Sequence, residues 1–256
     1  MTSQFHIQSS DPALLQRAVA IAGSFAEQYR TSQVVGIVIL GAVARGYFDA
    51  LADVDVAVVK KRGSEVPFEG QYQHMAGIEI HLHLADYEDE VGAEWNMAKR
   101  WTYSQAQIVH DPEGKIARLL GDKVPLRSDE RRWLLMSGLC LSEWYINRLS
   151  HLWVERGHLT SAHQMFAGGL EHFMDMLFAW NGELVPDAKW KYYCVEKLHL
   201  LPAEFRERMQ ATMLLKDFSP GELERRREAF MGMWQMMLPV IEAELGMTYA
   251  QIMEIV

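Results

Sequence analysis

Hydrophobic and polar positions follow one pattern in the first third of the chain and another in the rest. Apolar, β-branched runs of strand length occupy residues 34–40 (VVGIVIL), 54–59 (VDVAVV) and 78–84 (IEIHLHL), a pattern typical of buried strands. Ahead of them, Asp11 and Pro12 form an N-cap followed by a proline at the first helical position, which predicts a helix to about Tyr29. The first part of the chain is therefore predicted to be an α/β (α+β) domain.

The spacing of apolar residues becomes helical from about residue 87, and strand signals almost vanish after residues 122–130 (DKVPLRSDE). Ser128, then Thr160 or Ser161, and then Ser219 before Pro220 predict the starts of three long helices. We place a boundary at Pro125. The pattern predicts an α/β domain with a mixed sheet over residues 1–124 and an all-α helical bundle over residues 125–256.

Composition fits a folded protein of a reducing compartment. Apolar residues make up 49% and charged residues 23% of the 256 residues, as in soluble globular proteins. The two cysteines lie far apart and have no metal-binding spacing, which favours the cytoplasm. The N-terminus lacks the basic start and apolar block of a secretion signal, and no apolar run reaches the roughly 18 residues of a membrane span.

The net charge of the chain indicates which kinds of partner it can bind. Thirty-four acidic residues against 25 basic ones give a formal charge of −9. This charge repels polyanions and disfavours sequence-independent binding of nucleic acid, although it leaves a local basic patch open. We expect no nucleic-acid or membrane partner, and homo-oligomers stay open.

Candidate chemistry is concentrated at the start of the second predicted strand. Asp53 and Asp55 are two residues apart, so strand alternation puts both carboxylates on one face with Cα atoms roughly 6.6 Å apart. Two acids at the start of an apolar strand are costly to bury unless a cation or hydrogen bonds compensate. A divalent metal site is the favoured interpretation, and a pair of solvent-facing turn acids is the alternative.

The third predicted strand carries further polar groups on one face, namely Glu79, His81 and His83. If this strand neighbours the second, Glu79 adds a third carboxylate to the two aspartates. Magnesium ions held by such a cluster can clamp a triphosphate and activate an attacking hydroxyl, which is nucleotidyl-transfer chemistry. His81 and His83 have the spacing of zinc ligands, but no third ligand follows at a defined spacing, so histidines lining an open sheet face are favoured.

These segments resemble a known family. The order of features along the chain is similar to that of the DNA polymerase β-like nucleotidyltransferase superfamily. It consists of a strand, a glycine, about a dozen residues, Asp-x-Asp in a strand, and an acid in a later strand. AVARG and ADVDVAVV resemble motifs of its small-molecule adenylyltransferases, which include aminoglycoside- and lincosamide-modifying enzymes. Residues 107–120 and 177–202 resemble the segment closing the catalytic domain and part of the helical domain. The resemblance covers about residues 35–202 and implies a minimal nucleotidyltransferase domain before the helical bundle.

The resemblance also implies roles for individual residues. Asp53 and Asp55 would hold Mg²⁺, as two ions, and Glu79 would be either a third ligand or the base for the acceptor hydroxyl. Gly41 would let the backbone approach the triphosphate, and Arg45 would contact phosphate or form a structural ion pair.

Two further positions belong to the implied nucleotide site. Lys189 would contact the nucleotide from the helical domain, with a solvated helix residue as the alternative. Ala42 stands where the family places serine or a second glycine, and it lacks the hydroxyl that would donate to a phosphate.

The function expected from these observations is Mg²⁺-dependent transfer of a nucleoside monophosphate, from ATP or another nucleoside triphosphate, to a hydroxyl of a small, aminoglycoside-like molecule. Ala42 motivates a second hypothesis, a nucleotidyltransferase-like binding protein of regulatory or antitoxin type. Transfer to a protein or an RNA end is a third.

Overall fold

The computed structural model describes residues 11–256. The first ten residues of the predicted first domain lie outside the described residues, and they include most of the N-terminal segment that was compared with a secretion signal. The chain divides into two compact units, Met1–Pro125 (unit 1) and Leu126–Val256 (unit 2). Across the described range, none of the helices combines the length and apolar character needed to cross a membrane.

The described part of unit 1, residues 11–125, contains five strands and five helices. The three predicted strands are present, and two short strands accompany them. The helices of unit 1 are α1 (Pro12–Glu27), α2 (Gly41–Ala44), α3 (Tyr87–Gly92), α4 (Met97–Tyr103) and α5 (Lys115–Lys123). The strands are β1 (Val34–Ile39), β2 (Val54–Lys60), β3 (Tyr72–Met75), β4 (Ile78–Asp86) and β5 (Gln107–His110).

The strands form one mixed sheet in the order β3-β4-β2-β1-β5. β1 is antiparallel to β2 and β5, and β3 is antiparallel to β4. β2 and β4 are parallel, because β3 reverses the chain between them, and Asp55 pairs with His81. The mixed sheet confirms the predicted fold class.

Alternation along the strands gives the sheet two different faces. Val54, Val56 and Val58 of β2 lie in a core with α1, whose Ala18 and Phe25 are buried against them. The opposite face has a smaller core, formed by residues of β1, β2 and α5. Asp55 shares this second face, because it alternates with the valines of the first.

Unit 2 is helical, as predicted. Its helices are α6 (Ser128–Glu143), α7 (Ser150–Glu155), α8 (Leu159–Trp180), α9 (Ala188–Val195), α10 (Phe205–Met213), α11 (Pro220–Leu245) and α12 (Tyr249–Met253), with a π-helical turn (Trp144–Leu149) between α6 and α7. Buried apolar residues from α6, α8 and α11 include Leu139, Phe173, Phe230 and Met233.

Two of the predicted helix starts are wrong by one or two residues. Arg127, rather than Ser128, occupies the N-cap of α6, because the Glu130 carboxylate accepts a hydrogen bond from the Arg127 backbone N–H at 3.1 Å. The next long helix is capped by His158, whose side chain accepts from the Ser161 N–H. In both cases a side chain other than the expected hydroxyl accepts a hydrogen bond from a backbone N–H at the start of the helix.

The predicted start of α11 is confirmed. The Ser219 hydroxyl accepts from the Glu222 N–H at 3.1 Å. The Glu222 carboxylate in turn accepts two hydrogen bonds from the Arg225 guanidinium, at 2.6 and 2.8 Å, and one from the Lys216 N–H. These bonds, chiefly those from Arg225, lower the pKa of Glu222 to about 2.

Candidate metal centre

Asp55 lies at the centre of the polar groups of the sheet. It is the second residue of β2, and it faces away from the core that contains Val54 and Val56. β4 runs parallel beside it, with His81 opposite Asp55 and His83 opposite Ala57. Because Ile80 and Leu82 belong to the α1 core, the two histidines share the face of Asp55.

Gly41 brings the backbone directly against the Asp55 carboxylate. It follows the end of β1 and has a φ of +66°, a left-handed conformation that favours glycine. A Cβ atom at this position would lie 2.3 Å from Asp55 Oδ2 and 3.3 Å from Cγ. The absence of a side chain at Gly41 is therefore what allows the carboxylate to occupy this position.

The other carboxylate oxygen faces the two histidines. Asp55 Oδ1 lies 2.9 Å from His83 Nε2 and 3.3 Å from His81 Nδ1. Among the residues that the structure describes, Asp55, His81 and His83 are the group of potential metal ligands whose donor atoms all lie within 4.8 Å of one another. One carboxylate and two imidazoles are a donor set that can hold a divalent cation.

The three side chains are accessible from solvent yet supported by neighbours. Their exposed fractions are 23% for Asp55, 17% for His81 and 37% for His83. The ring of Tyr72 stacks on His81 with centroids 4.6 Å apart, and the Gln71 side-chain nitrogen lies 2.7 Å from His81 Nε2. A cation can thus reach the cluster, and β3 with the residue before it holds one of the rings in place.

Tyr103 of α4 adds an uncharged hydroxyl to the same face of the sheet. It packs against the core formed by β1, β2 and α5, with its ring 4.7 Å from that of Trp95. Burial raises the pKa of Tyr103, and the negative charges of Glu90 and Asp55 raise it further. The phenol therefore stays protonated at neutral pH.

Asp53 and Glu79, the other two predicted acids, lie at the beginnings of the neighbouring strands β2 and β4. They immediately precede the paired residues Val54 and Ile80, and both line a surface cavity of ≈ 410 Å³. Glu79 is exposed, and its Oε2 lies 3.6 Å from His74 Nε2 on β3. The structure thus gathers two histidines, rather than these two acids, around Asp55, and the metal roles of Asp53 and Glu79 stay predictions.

The two predicted phosphate-binding positions next to Gly41 differ in their surroundings. Ala42 is half-buried in α2, where its carbonyl accepts from the N–H groups of Arg45 and Tyr47. Arg45 is only 2% exposed, with its guanidinium 3.7 Å above the Trp101 ring and bonded to the Ser104 hydroxyl at 3.0 Å. A buried guanidinium that stacks on an indole ring favours the structural alternative for Arg45, and its phosphate contact stays a prediction.

Lys189 and a second lysine in the same helix have different environments. Lys189 is exposed near the start of α9. Lys191 is buried, with its Nζ 2.6 Å from Glu171 Oε2 and 2.9 Å from Asp175 Oδ1 on α8. These two acids raise the pKa of Lys191 although burial opposes them, while burial raises that of Asp175. Sequence reasoning selected the exposed lysine and missed the buried ion pair.

The interpretation of His81 and His83 as histidines that only line the sheet is incomplete. The third potential ligand is Asp55, which the sequence interpretation places in a carboxylate cluster instead. The parallel register of β2 and β4 brings it to the histidines. A signal was present in the sequence, because Asp53-x-Asp55 and His81-x-His83 have the same two-residue spacing on one face of their strands.

Comparisons with known proteins do not assign a function to this chain, so the functional argument rests on the geometry of the site. No protein-family model matches the chain, and no curated protein matches it. Among solved structures, a nucleotidyltransferase-like protein from Exiguobacterium sibiricum is similar, with 14% identity and a TM-score of 0.48 over 90% of this chain and 78% of that chain. A likeness at this level assigns neither activity nor substrate.

Proposed function

We propose that this chain is a divalent-metal-dependent nucleotidyltransferase that transfers a nucleoside monophosphate, AMP from ATP in the first instance, to a hydroxyl of a small molecule. The observation that carries the proposal is the contact between Gly41 and Asp55. It joins a backbone turn without a side chain to a carboxylate suited to a metal ion. Triphosphates need both features, since phosphate oxygens must approach the backbone while a cation neutralises their charge.

The residues present fit a divalent cation. Asp55 supplies a carboxylate oxygen beside two imidazole nitrogens, and Asp53, two residues earlier in the chain, is proposed as a further ligand. When bound, such a cation stabilises the charge that develops on the transferring and departing phosphates. Gly41 leaves room for the Asp55 carboxylate itself, because a Cβ atom at this position would lie 2.3 Å from Oδ2.

The reaction requires a base as well as a nucleotide site. The acceptor oxygen forms a bond to the α-phosphorus while the bond from that phosphorus to the bridging oxygen breaks, and pyrophosphate leaves. Glu79 is the candidate to take the acceptor proton, because it is exposed on the cavity that Asp53 also lines. The acceptor is therefore proposed to enter this ≈ 410 Å³ cavity.

The charges of the cavity favour a cationic acceptor. Three carboxylates, those of Asp49, Asp53 and Glu79, line it together with one guanidinium, that of Arg17. The whole chain also carries a formal charge of −9. An aminoglycoside-like polyamine with free hydroxyls has matching charge and the required nucleophile.

The proposal is tested by pyrophosphate release from ATP in the presence of a divalent cation and a panel of aminoglycosides. We expect release that depends on both metal and acceptor in the wild type, and loss of release in Asp55→Asn. Asp89→Asn is the matched control, because its carboxylate is exposed and paired with Arg62 on the surface of unit 1. Turnover that survives in Asp55→Asn contradicts the assignment.

A second function, a nucleotidyltransferase-like binding protein, is favoured by the loss of phosphate donors next to Gly41. Ala42 has no hydroxyl, and Arg45 is buried. Such a protein would bind nucleotide without releasing pyrophosphate. Calorimetry with ATP and metal separates the two functions, since an enzyme should bind more tightly as Ala42→Ser, by roughly one to two orders of magnitude for a hydrogen bond to a charged acceptor.

A further inference from the structure

The donor atoms around Asp55 have the spacing of ligands that share one metal ion. In a tetrahedral site with bonds of about 2.0–2.1 Å, two ligand atoms lie roughly 3.3 Å apart. Asp55 Oδ1 is 3.3 Å from His81 Nδ1 and 2.9 Å from His83 Nε2. The three side chains therefore need little rearrangement to hold a cation.

The backbone fixes this arrangement. Asp55 and His81 are directly paired on adjacent parallel strands, and His83 is two residues further along β4. The two imidazole rings lie 4.0 Å apart. Ligands carried by paired strands are held more precisely than ligands on loops.

A polar neighbour also orients one ring. The Gln71 amide contacts His81 Nε2 at 2.7 Å. The oxygen and nitrogen of a glutamine amide are assigned from the surrounding hydrogen bonds, so either can face the ring. With the oxygen accepting from Nε2–H, the lone pair of Nδ1 faces Asp55, which is the arrangement that metal-binding histidines usually show.

We infer that Asp55, His81 and His83 form a site for a borderline first-row cation of the Zn²⁺ or Co²⁺ type, in preference to Mg²⁺. Imidazole suits these ions, whereas Mg²⁺ takes oxygen ligands in near-octahedral geometry. This metal class differs from the Mg²⁺ pair that the sequence resemblance implies. Three protein ligands leave a coordination position open to a substrate oxygen.

Only the catalytic role of this metal site rests on the proposed function. In that role, a phosphate oxygen of the triphosphate would fill the open coordination position. Binding of the metal itself requires no nucleotide, so the site and the reaction can be tested separately.

The test is a titration of metal-free protein with Co²⁺, followed by its visible d–d absorption, and a calorimetric titration with Zn²⁺. We expect one Co²⁺ per chain, displaced by Zn²⁺ and retained in about 100-fold excess of Mg²⁺. His81→Gln and His83→Gln should each weaken binding by more than 10-fold, and Gln71→Leu by about 10-fold, because outer-shell partners typically contribute 10- to 100-fold.

His110→Gln is the matched control, since this histidine lies on β5 at the opposite edge of the sheet. It should bind Co²⁺ like the wild type. Circular dichroism of each variant establishes that the fold is retained. Unchanged Co²⁺ affinity in folded His81→Gln and His83→Gln, or displacement of Co²⁺ by Mg²⁺, overturns the inference.

Failure of this inference and failure of the proposed function give different results. Pyrophosphate release with Mg²⁺ that persists in both histidine variants overturns the catalytic role of this metal site and leaves the transferase intact. Co²⁺ binding that requires the histidines, without pyrophosphate release under any condition, supports the metal site and contradicts the transferase.

Discussion

Replacing Gly41 with alanine would place a methyl group where the Asp55 carboxylate now lies. Two effects add. Alanine at a φ of +66° is in the left-handed region, which disfavours non-glycine residues by roughly 1–2 kcal/mol. The new Cβ would also lie 2.3 Å from Asp55 Oδ2, about 1 Å closer than ordinary contact, and relieving such overpacking typically costs about 1–3 kcal/mol.

Gly63→Ala separates these effects. Gly63 has a φ of +72°, and a Cβ there would meet no atom within 4 Å. This control should lose about 1–2 kcal/mol of unfolding free energy, whereas Gly41→Ala should lose about 2–5 kcal/mol. The difference measures the contact with Asp55.

Urea denaturation of both variants, followed through the transition of unit 1, gives the two free energies, and Co²⁺ titration gives the effect on the site. Gly41→Ala should weaken Co²⁺ binding by at least about 10-fold, because a displaced carboxylate loses its geometry toward the histidines. Gly63→Ala should bind normally. Equal destabilisation of the two variants together with unchanged Co²⁺ binding would refute this reasoning.

Three other expectations concern unit 2. Lys191→Met should lower the free energy of unfolding by about 1–3 kcal/mol, because it leaves the partly buried Asp175 carboxylate without its cation. Exposed Lys189→Met should change it by no more than about 0.5 kcal/mol, and similar values for the two variants in urea denaturation would contradict the ion-pair assignment. The pKa of Glu222, about 2 in the folded protein, lies below its ordinary value, so the Arg225 bonds add stability above about pH 4.3 that is lost as the pH falls toward 2. Glu222→Gln should therefore flatten the acid side of the stability profile measured by urea denaturation, and an unchanged slope would count against this. Burial raises the pKa of Cys140 to about 11, so alkylation at neutral pH should be much slower in the native protein than in urea, and equal rates would show that the thiol is accessible.

Local sequence signals predicted the elements that depend on local physics. β1, β2 and β4 follow from apolar runs, and α1 follows from the Asp11 cap, whose carboxylate accepts from two backbone N–H groups. β3 was missed, because the short segment Tyr72–Met75 lies at the sheet edge and is only partly buried. Edge strands lack the continuous apolar pattern that marks central ones.

The composition of the site depended on strand pairing, which the sequence does not show directly. Alternation correctly put Asp55 on the polar face of β2 and His81 on the polar face of β4. Which of the polar residues on β4 lies opposite Asp55 is set by register, and a shift of two residues would have brought Glu79 there instead. The environment of Arg45 could not be predicted from local sequence either, since Trp101, on which its guanidinium stacks, is distant in sequence.

The position of β3 at the edge of the sheet has a kinetic consequence. Tyr72, which stacks on His81, belongs to a strand of four residues that pairs only with β4. Short edge strands open by local fluctuation well below the energy of global unfolding. Each opening would remove the Tyr72 ring from His81, so we expect a bound ion to dissociate faster when this strand detaches more often. Amide hydrogen exchange along Tyr72–Met75 and metal dissociation are thus two observations of one motion.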